Sequence, residues 1–413
     1  MSLRLPLIVV SAVIATAVLG AQGGTADWPQ WRGVNRDGAA TTFRPPAKWP
    51  DTLTRKWRQE VGEGYSTPVV VGDVVYAFGR QVGGDDEIVT ALDANTGKQL
   101  WQARYPAPYT LVKAAAGHGM GPKATPAYAD GRLFTFGISG ILTSFDAKSG
   151  KVLWQKPAPA EGPTFTTSQS PMVDRGLLIV HVGGVKGGAL TAFDPATGNA
   201  KWQWTGDGPS YGSPIVAELG GVRQVVTFTL DNLVGVSAET GEQLWMRPFK
   251  APSQVNAGTP IAFRDMVIVS GQDAGITAFR VARQGGKWVT ENVWENGDLF
   301  YRLSNSVIVG NALFGLSPQN RGQFFFIDAA TGKTLWTGEP RTADNAAIAK
   351  SGNLLLILKT SGELIVADGS NTSALTPIRT YKVADPPAWG APSFAGNRIF
   401  VKDATGVSMW TTE

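Results

Sequence analysis

Ala91-Leu92-Asp93-Ala94-Asn95-Thr96-Gly97-Lys98-Gln99-Leu100-Trp101 is the stretch from which the architecture of this chain can be read. The Asp carboxylate can accept backbone N–H bonds across a tight turn, and the Thr hydroxyl can do the same. Gly supplies the positive φ that such a turn needs. The Trp that follows projects from the next strand and can dock on a neighbouring sheet. The pattern returns as Phe145-Asp146 through Ser149-Gly150 to Trp154, and as Ala192-Phe193-Asp194 through Thr197-Gly198 to Trp202. It returns again from Gly235 through Thr240-Gly241 to Trp245, and from Ile327-Asp328 through Thr331-Gly332 to Trp336. A worn copy runs from Ala278-Phe279-Arg280 to Trp288, and another, at Val366-Ala367-Asp368, lacks the Trp.

A second marker precedes each copy: a small residue, then Pro, opening an apolar run. It occurs at Thr67-Pro68, Thr125-Pro126, Ser170-Pro171, Ser213-Pro214, Thr259-Pro260 and Ala391-Pro392. Ser306-Val307 and Ala346-Ala347 stand in the same place without Pro. The markers recur every ~40 to 58 residues, the period of a four-stranded propeller blade. In the first period, Val69 to Val71, Val74 to Phe78, Glu87 to Leu92 and Gln99 to Ala103 read as strands A to D, with apolar alternation and β-branched enrichment. The expected fold is an all-β, eight-bladed propeller of four-stranded antiparallel blades. Seven blades is the alternative, because the copy near residues 344–384 is the weakest.

The last period ends at the C-terminus with three strands. Leu53 to Val61 is an orphan that reads like strand D, with Trp57 in the docking position. Supplied from the N-terminus, it would complete the last blade and remove an exposed edge. Trp57, Trp101, Trp154, Trp202, Trp245, Trp288 and Trp336 are therefore read as structural docking residues. Burying one indole removes roughly 150–250 Å² from water, worth at most about 4–6 kcal/mol.

Composition agrees. Charged residues make up 17% of the 413, against 50 Gly and 14 Trp, which suits short strands and many turns. The net charge of +4 is spread without a basic stripe, so nucleic acid is not an expected partner. Arg4, the apolar run Leu5 to Leu19, and a cleavage position at Gly20 and Ala21 or at Gly24 and Ala26 read as a secretory leader. The expected organisation is a leader over 1–26, an extension over 27–51 and one propeller domain over 52–413. No later segment approaches the length of a transmembrane helix. With no Cys there is no disulfide, thiolate metal site or lipid-attachment cysteine. A periplasmic or secreted protein is expected.

The repeat resembles that of pyrroloquinoline quinone (PQQ) dehydrogenases. It also resembles that of the propeller lipoprotein of the outer-membrane β-barrel assembly machinery, and of exported PQQ-like repeat proteins. Asp27-Trp28-Pro29-Gln30-Trp31-Arg32-Gly33, with Asp37-Gly38, is similar to a segment common in the last group. The resemblance implies the fold over residues 27–413, and PQQ with calcium as a candidate cofactor. It also implies an envelope protein as a candidate partner. The dehydrogenases hold calcium with a Glu, Asn and Asp set that has no clear counterpart here. Many also place a disulfide over the cofactor, and the assembly lipoprotein carries a lipidated cysteine. The expected function is a non-catalytic envelope scaffold that binds a protein or ligand. A quinone-dependent alcohol or sugar dehydrogenase, or an outer-membrane assembly factor, are the alternatives.

In a propeller the residues just before each strand A ring the channel mouth. Here they are Tyr65, Lys123, Gln169, Tyr211, Asn256, Asn305, Asn345 and Trp389, a set able to hold a flat polar ligand by stacking and hydrogen bonding. The plainer reading is that they are ordinary channel-lining residues bound to water. The long connector Pro106 to Lys123 adds His118, between glycines. His181 reads as structural and Asp85-Asp86-Glu87 as a solvated acidic turn. No nucleophile–base–acid set assembles from spacing, and no metal site is expected.

Overall fold

The computed structural model describes residues 26–252 and 255–413. The expected leader lies outside them, apart from Ala26, which begins the first strand. Eight antiparallel sheets form an eight-bladed propeller. Blade 1 illustrates the repeat: Val69–Val71, Val74–Arg80, Asp86–Asp93 and Gln99–Pro106 run from axis to rim as strands A to D. Strands A to C are buried almost throughout, while strand D alternates and faces solvent. The core is therefore a set of apolar layers between blades, such as Val89, Tyr105, Leu133 and Phe145 between blades 1 and 2.

The Asp-x-x-Thr-Gly turn works as its chemistry requires. Asp93 Oδ1 accepts from the Asn95 and Thr96 amides and from the Thr96 hydroxyl. Gly97 closes the turn at φ +72°. That glycine has a second task, because the Trp of the preceding blade lies flat on it. A β-carbon at Gly97 would stand 2.7 Å from the Trp57 ring, and one at Gly150 2.5 Å from the Trp101 ring. Trp57, Trp101, Trp154 and Trp202 donate Nε1–H to Ala94, Ala147, Pro195 and Ala238 carbonyls of the next blade, at 3.0–3.2 Å.

Three seams depart from the sequence reading. In blade 5 the rim position belongs to Trp294, not Trp288. Trp294 pairs with Ala278, donates to the Ala329 carbonyl at 3.1 Å and lies on Gly332. The hairpin Gly275–Gln284/Lys287–Asn296 is longer than its counterparts, so the familiar Trp spacing falls near its Gly285-Gly286 tip. There Trp288 stacks under Arg283, 5.0 Å from its ring centre. Trp245 donates to Gln224 of its own blade and packs edge-on to Phe279 of blade 5, which has no Thr-Gly turn. Trp336 lies against Phe326 of its own blade, at 6.0 Å.

Thr54–Glu60 pairs with Gly406–Thr411 and closes the ring as strand D of blade 8. Arg58 grips Asp403 with Nε and Nη2, and Lys402 donates to the Gly62 and Gly64 carbonyls at 3.0 and 2.7 Å.

The extension between Asp27 and Arg44 fills the channel. It enters by Ala26–Trp28 pairing with Val70 and Val71 of blade 1, near the A–B turn. The Pro29 carbonyl accepts from Tyr128 of blade 2. At the tip, Arg36 donates to the carbonyls of Ser170 and Pro171 in blade 3 and Pro214 in blade 4. Trp31 donates to Thr259 of blade 5, and Arg32 to the Ser306 carbonyl of blade 6. The returning leg bonds Lys350 of blade 7 and Gly396 of blade 8. One short segment thus touches every blade.

Candidate functional site

A cavity of about 450 Å³ opens at the end of the channel where the A strands begin. Its lining includes Trp31, from the tip of the plug, and walls from several blade connectors. The plug therefore closes the cavity towards the channel.

Of the mouth residues expected from sequence, the structure brings Tyr65, His118, Lys123, Tyr211, Asn345 and Trp389 together around this cavity. Gln169, Asn256 and Asn305 are not among its lining residues. They are 2%, 0% and 8% exposed. Asn256 donates to the Phe249 and Thr229 carbonyls at 3.1 and 3.3 Å, and Asn305 accepts the Thr259 amide at 2.7 Å. The two asparagines thus hold connectors to adjoining strands, whereas the buried Gln169 amide finds no hydrogen-bond partner among the described residues.

The connector after blade 1 forms a short helix, Lys113–His118, over one side of the opening. His118 meets Trp389 edge-to-face at 4.7 Å, bridging from the first connector to the start of blade 8. Burial, with Lys123 and Arg302 nearby, holds the His118 pKa below the usual imidazole value. The Lys123 ammonium sits 5.1 Å from the Tyr65 ring centre and donates to the His118 and Gly119 carbonyls. Burial pulls its pKa down to about 8, against the opposing pull of Glu63. On the far wall, Tyr211 Oη accepts the Phe165 amide at 3.1 Å, and the two rings lie 6.0 Å apart.

Trp31, Phe165, Arg302 and Leu303 line the cavity and were missed from sequence. Trp31 belongs to a segment that had no assigned place. Arg302 and Leu303 lie a few residues upstream of the marker, where connector shape rather than strand register decides which side chains face the axis.

The donor set can do some things and not others. Lys123 and Arg302 offer positive charge within largely apolar, aromatic walls, the environment that favours a flat anion. No Asp or Glu lines the cavity among the described residues. A calcium ion, which takes six to eight hard oxygen ligands, does not fit these walls. Nowhere among the described residues do three or more His, Cys, Asp or Glu side chains gather as a metal site.

His181 lies elsewhere, 1% exposed, with Nε2 3.1 Å from the Asp207 carbonyl. The solvated acidic turn is corrected at Glu87. Asp85 pairs with Arg80, but Glu87 is fully buried at the seam of blades 1 and 2. It accepts from Tyr105 Oη at 2.8 Å and from the Ile138 amide at 2.7 Å. Burial raises its pKa to about 7.

A family model described as outer membrane protein assembly factor BamB matches residues 51–114 and 85–338. The BamB of Burkholderia pseudomallei is 30% identical over 52% of this chain and 50% of its own length. The dehydrogenase subunit of the quinone alcohol dehydrogenase of Acetobacter aceti is 31% identical over 34% of this chain and 19% of its own. These matches thus span half or less of the relatives' lengths. Among solved structures, BamB from Moraxella catarrhalis superimposes with TM-score 0.62 and 15% identity, over 87% of this chain and 98% of that one. Quinohemoprotein alcohol dehydrogenase from Comamonas testosteroni gives 0.66 and 14%, over 94% and 80%. At such identities the likeness speaks for the fold.

Proposed function

The chain belongs to the BamB-type family of PQQ-like repeat propellers, and from that premise we propose that it is an exported, non-catalytic propeller of the cell envelope that binds a small flat anion at its mouth. The observation that carries this reading is the cavity itself. Trp31, Tyr65, Tyr211 and Trp389 supply flat faces, and Lys123 and Arg302 supply charge. A ligand ring can stack on the aromatic faces while its anionic group meets the two cations. Export is supported by the leader-like run Leu5 to Leu19. No helix among the described residues is long and apolar enough to cross a membrane.

Two other functions stay in view because relatives carry them. An assembly role is supported by the family description and by the B. pseudomallei BamB. It predicts co-purification with an outer-membrane barrel protein. A PQQ-dependent dehydrogenase is supported by the quinone alcohol dehydrogenases, but the carboxylate-free cavity argues against the calcium-bound form.

The test is a titration of the mature protein with 8-anilinonaphthalene-1-sulfonate, and with PQQ with and without calcium. Fluorescence or absorbance and melting temperature are followed. The sulfonate should saturate and raise the melting temperature, because a ligand bound only by the folded state stabilises it. Lys123→Met and Arg302→Met should each weaken it about tenfold, the loss of one charge-assisted contact. Calcium-dependent PQQ binding with alcohol oxidation would replace this reading with the enzyme.

A further inference from the structure

The plug has no counterpart in the repeat, and it forms part of the cavity surface. Trp31 lies between Gln30 and Arg32, so the residue lining the mouth is directly joined to the residues that pin the plug. Arg32 Nη2 donates to the Ser306 carbonyl at 2.7 Å. Arg36 Nε donates to the Pro214 carbonyl at 2.7 Å, and its two Nη atoms to Pro171 and Ser170. Neither arginine lines the cavity, and both are buried. Arg32 and Arg36 have φ of +61° and +58°, a conformation that L-residues adopt only where the surroundings over-determine it. Both legs of the plug leave by the opposite face, where the Thr42 carbonyl and Arg44 amide bond Gly396. Withdrawal in that direction would remove Trp31 from the mouth and open the channel.

We propose that Trp31 sets the depth and selectivity of the mouth cavity, and that ligand binding there and seating of the plug stabilise each other. The inference rests on the reading that the cavity binds an anion. A ligand stacked on Trp31 loses that contact when the plug withdraws, so it binds the seated state more tightly. Linkage then requires that complete withdrawal of the plug weaken the ligand by the same factor by which bound ligand suppresses withdrawal. A ring sealed by a rigid, independent core would show no such reciprocity.

The experiment uses the mature full-length chain and 8-anilinonaphthalene-1-sulfonate as probe. Hydrogen exchange of the amides over 27–38 is measured with and without saturating probe. Probe affinity is measured for the wild type, Arg36→Met, Arg36→Lys and Trp31→Ala. Saturating probe should slow exchange in the plug about tenfold, within the usual range of coupling between sites. Arg36→Met should speed that exchange and, once the withdrawn plug is substantially populated, weaken the probe in proportion to the seated fraction, although Arg36 does not line the cavity. Arg36→Lys should recover part of both. Trp31→Ala should weaken the probe while leaving the Arg36 to Gly38 amides protected.

If the Arg36→Met plug is mostly withdrawn, its amides exchanging near the unprotected rate, but probe affinity is unchanged, the coupling is overturned and the anion-binding reading stands. The coupling is equally overturned if saturating probe leaves plug exchange unchanged in the wild type, a comparison that needs no variant to fold. Absence of probe binding to the wild type overturns the anion-binding reading, and the coupling falls with it.

Discussion

The rim and the axis of this propeller hold the blades together by different means. At the rim one solution recurs: a Trp from one blade lies on the turn glycine of the next and donates to a carbonyl beside it, as Trp101 does to Ala147. Each rim contact joins two neighbours, and a worn copy alters its own seam, as at Trp245 and Trp336. At the axis a single segment touches all eight blades, through main-chain pairing and two buried guanidiniums. The rim distributes cohesion among replaceable units, whereas the axis concentrates it in one segment that also shapes the mouth.

The rim can be broken most severely at a turn glycine. Gly150→Val forces a β-branched residue to φ +74° and into the Trp101 ring. Strain and overpacking together should cost about 4 kcal/mol, seen as a lower urea midpoint. Trp101→Ala leaves the turn intact but removes the indole and its hydrogen bond. A loss of about 3 kcal/mol is expected by the same measurement.

The buried carboxylate of the first seam gives a pH-dependent version of the same test. Glu87 has its pKa raised to about 7 in the fold and titrates near 4.5 when unfolded. Between those values the folded state holds a proton that the unfolded state has released. Its contribution is therefore complete below about pH 4.5 and is lost as pH rises through about 7. Glu87→Gln should flatten stability across that window, by no more than about 3 kcal/mol between its ends. An unchanged slope would mean that Glu87 does not set the pH dependence.

The smallest effect is expected for Trp288→Ala. This Trp has the repeat's spacing but sits near a hairpin tip, half-buried between Arg283 and Gly220 of blade 4, so its loss should cost only about 1–2 kcal/mol. A cost equal to that of Trp101→Ala would mean that spacing, rather than register, identifies the seam residue.

What could be read from the residue order is what is written within a few positions of itself. The Asp-x-x-Thr-Gly turn, the Trp beyond it and the small residue before each strand A are local. Their recurrence was enough for four-stranded blades, their number and the closing strand with Trp57. Trp288 shows the limit, since a longer hairpin moves the seam position to Trp294 without disturbing the spacing rule. The mouth was half legible, because residues before strand A gather there, but which of them face the cavity depends on how each connector bends. Asn256 and Asn305 turned to main-chain partners, while Arg302, a few positions upstream, took the wall. The plug was not legible at all. Its contacts join residues remote in the chain, such as Arg32 and Ser306, 274 positions apart, and a pairing of that range leaves no pattern in the sequence on either side. It exists only where eight blades bring their inner carbonyls around one axis and leave a space that a Trp and two arginines fill.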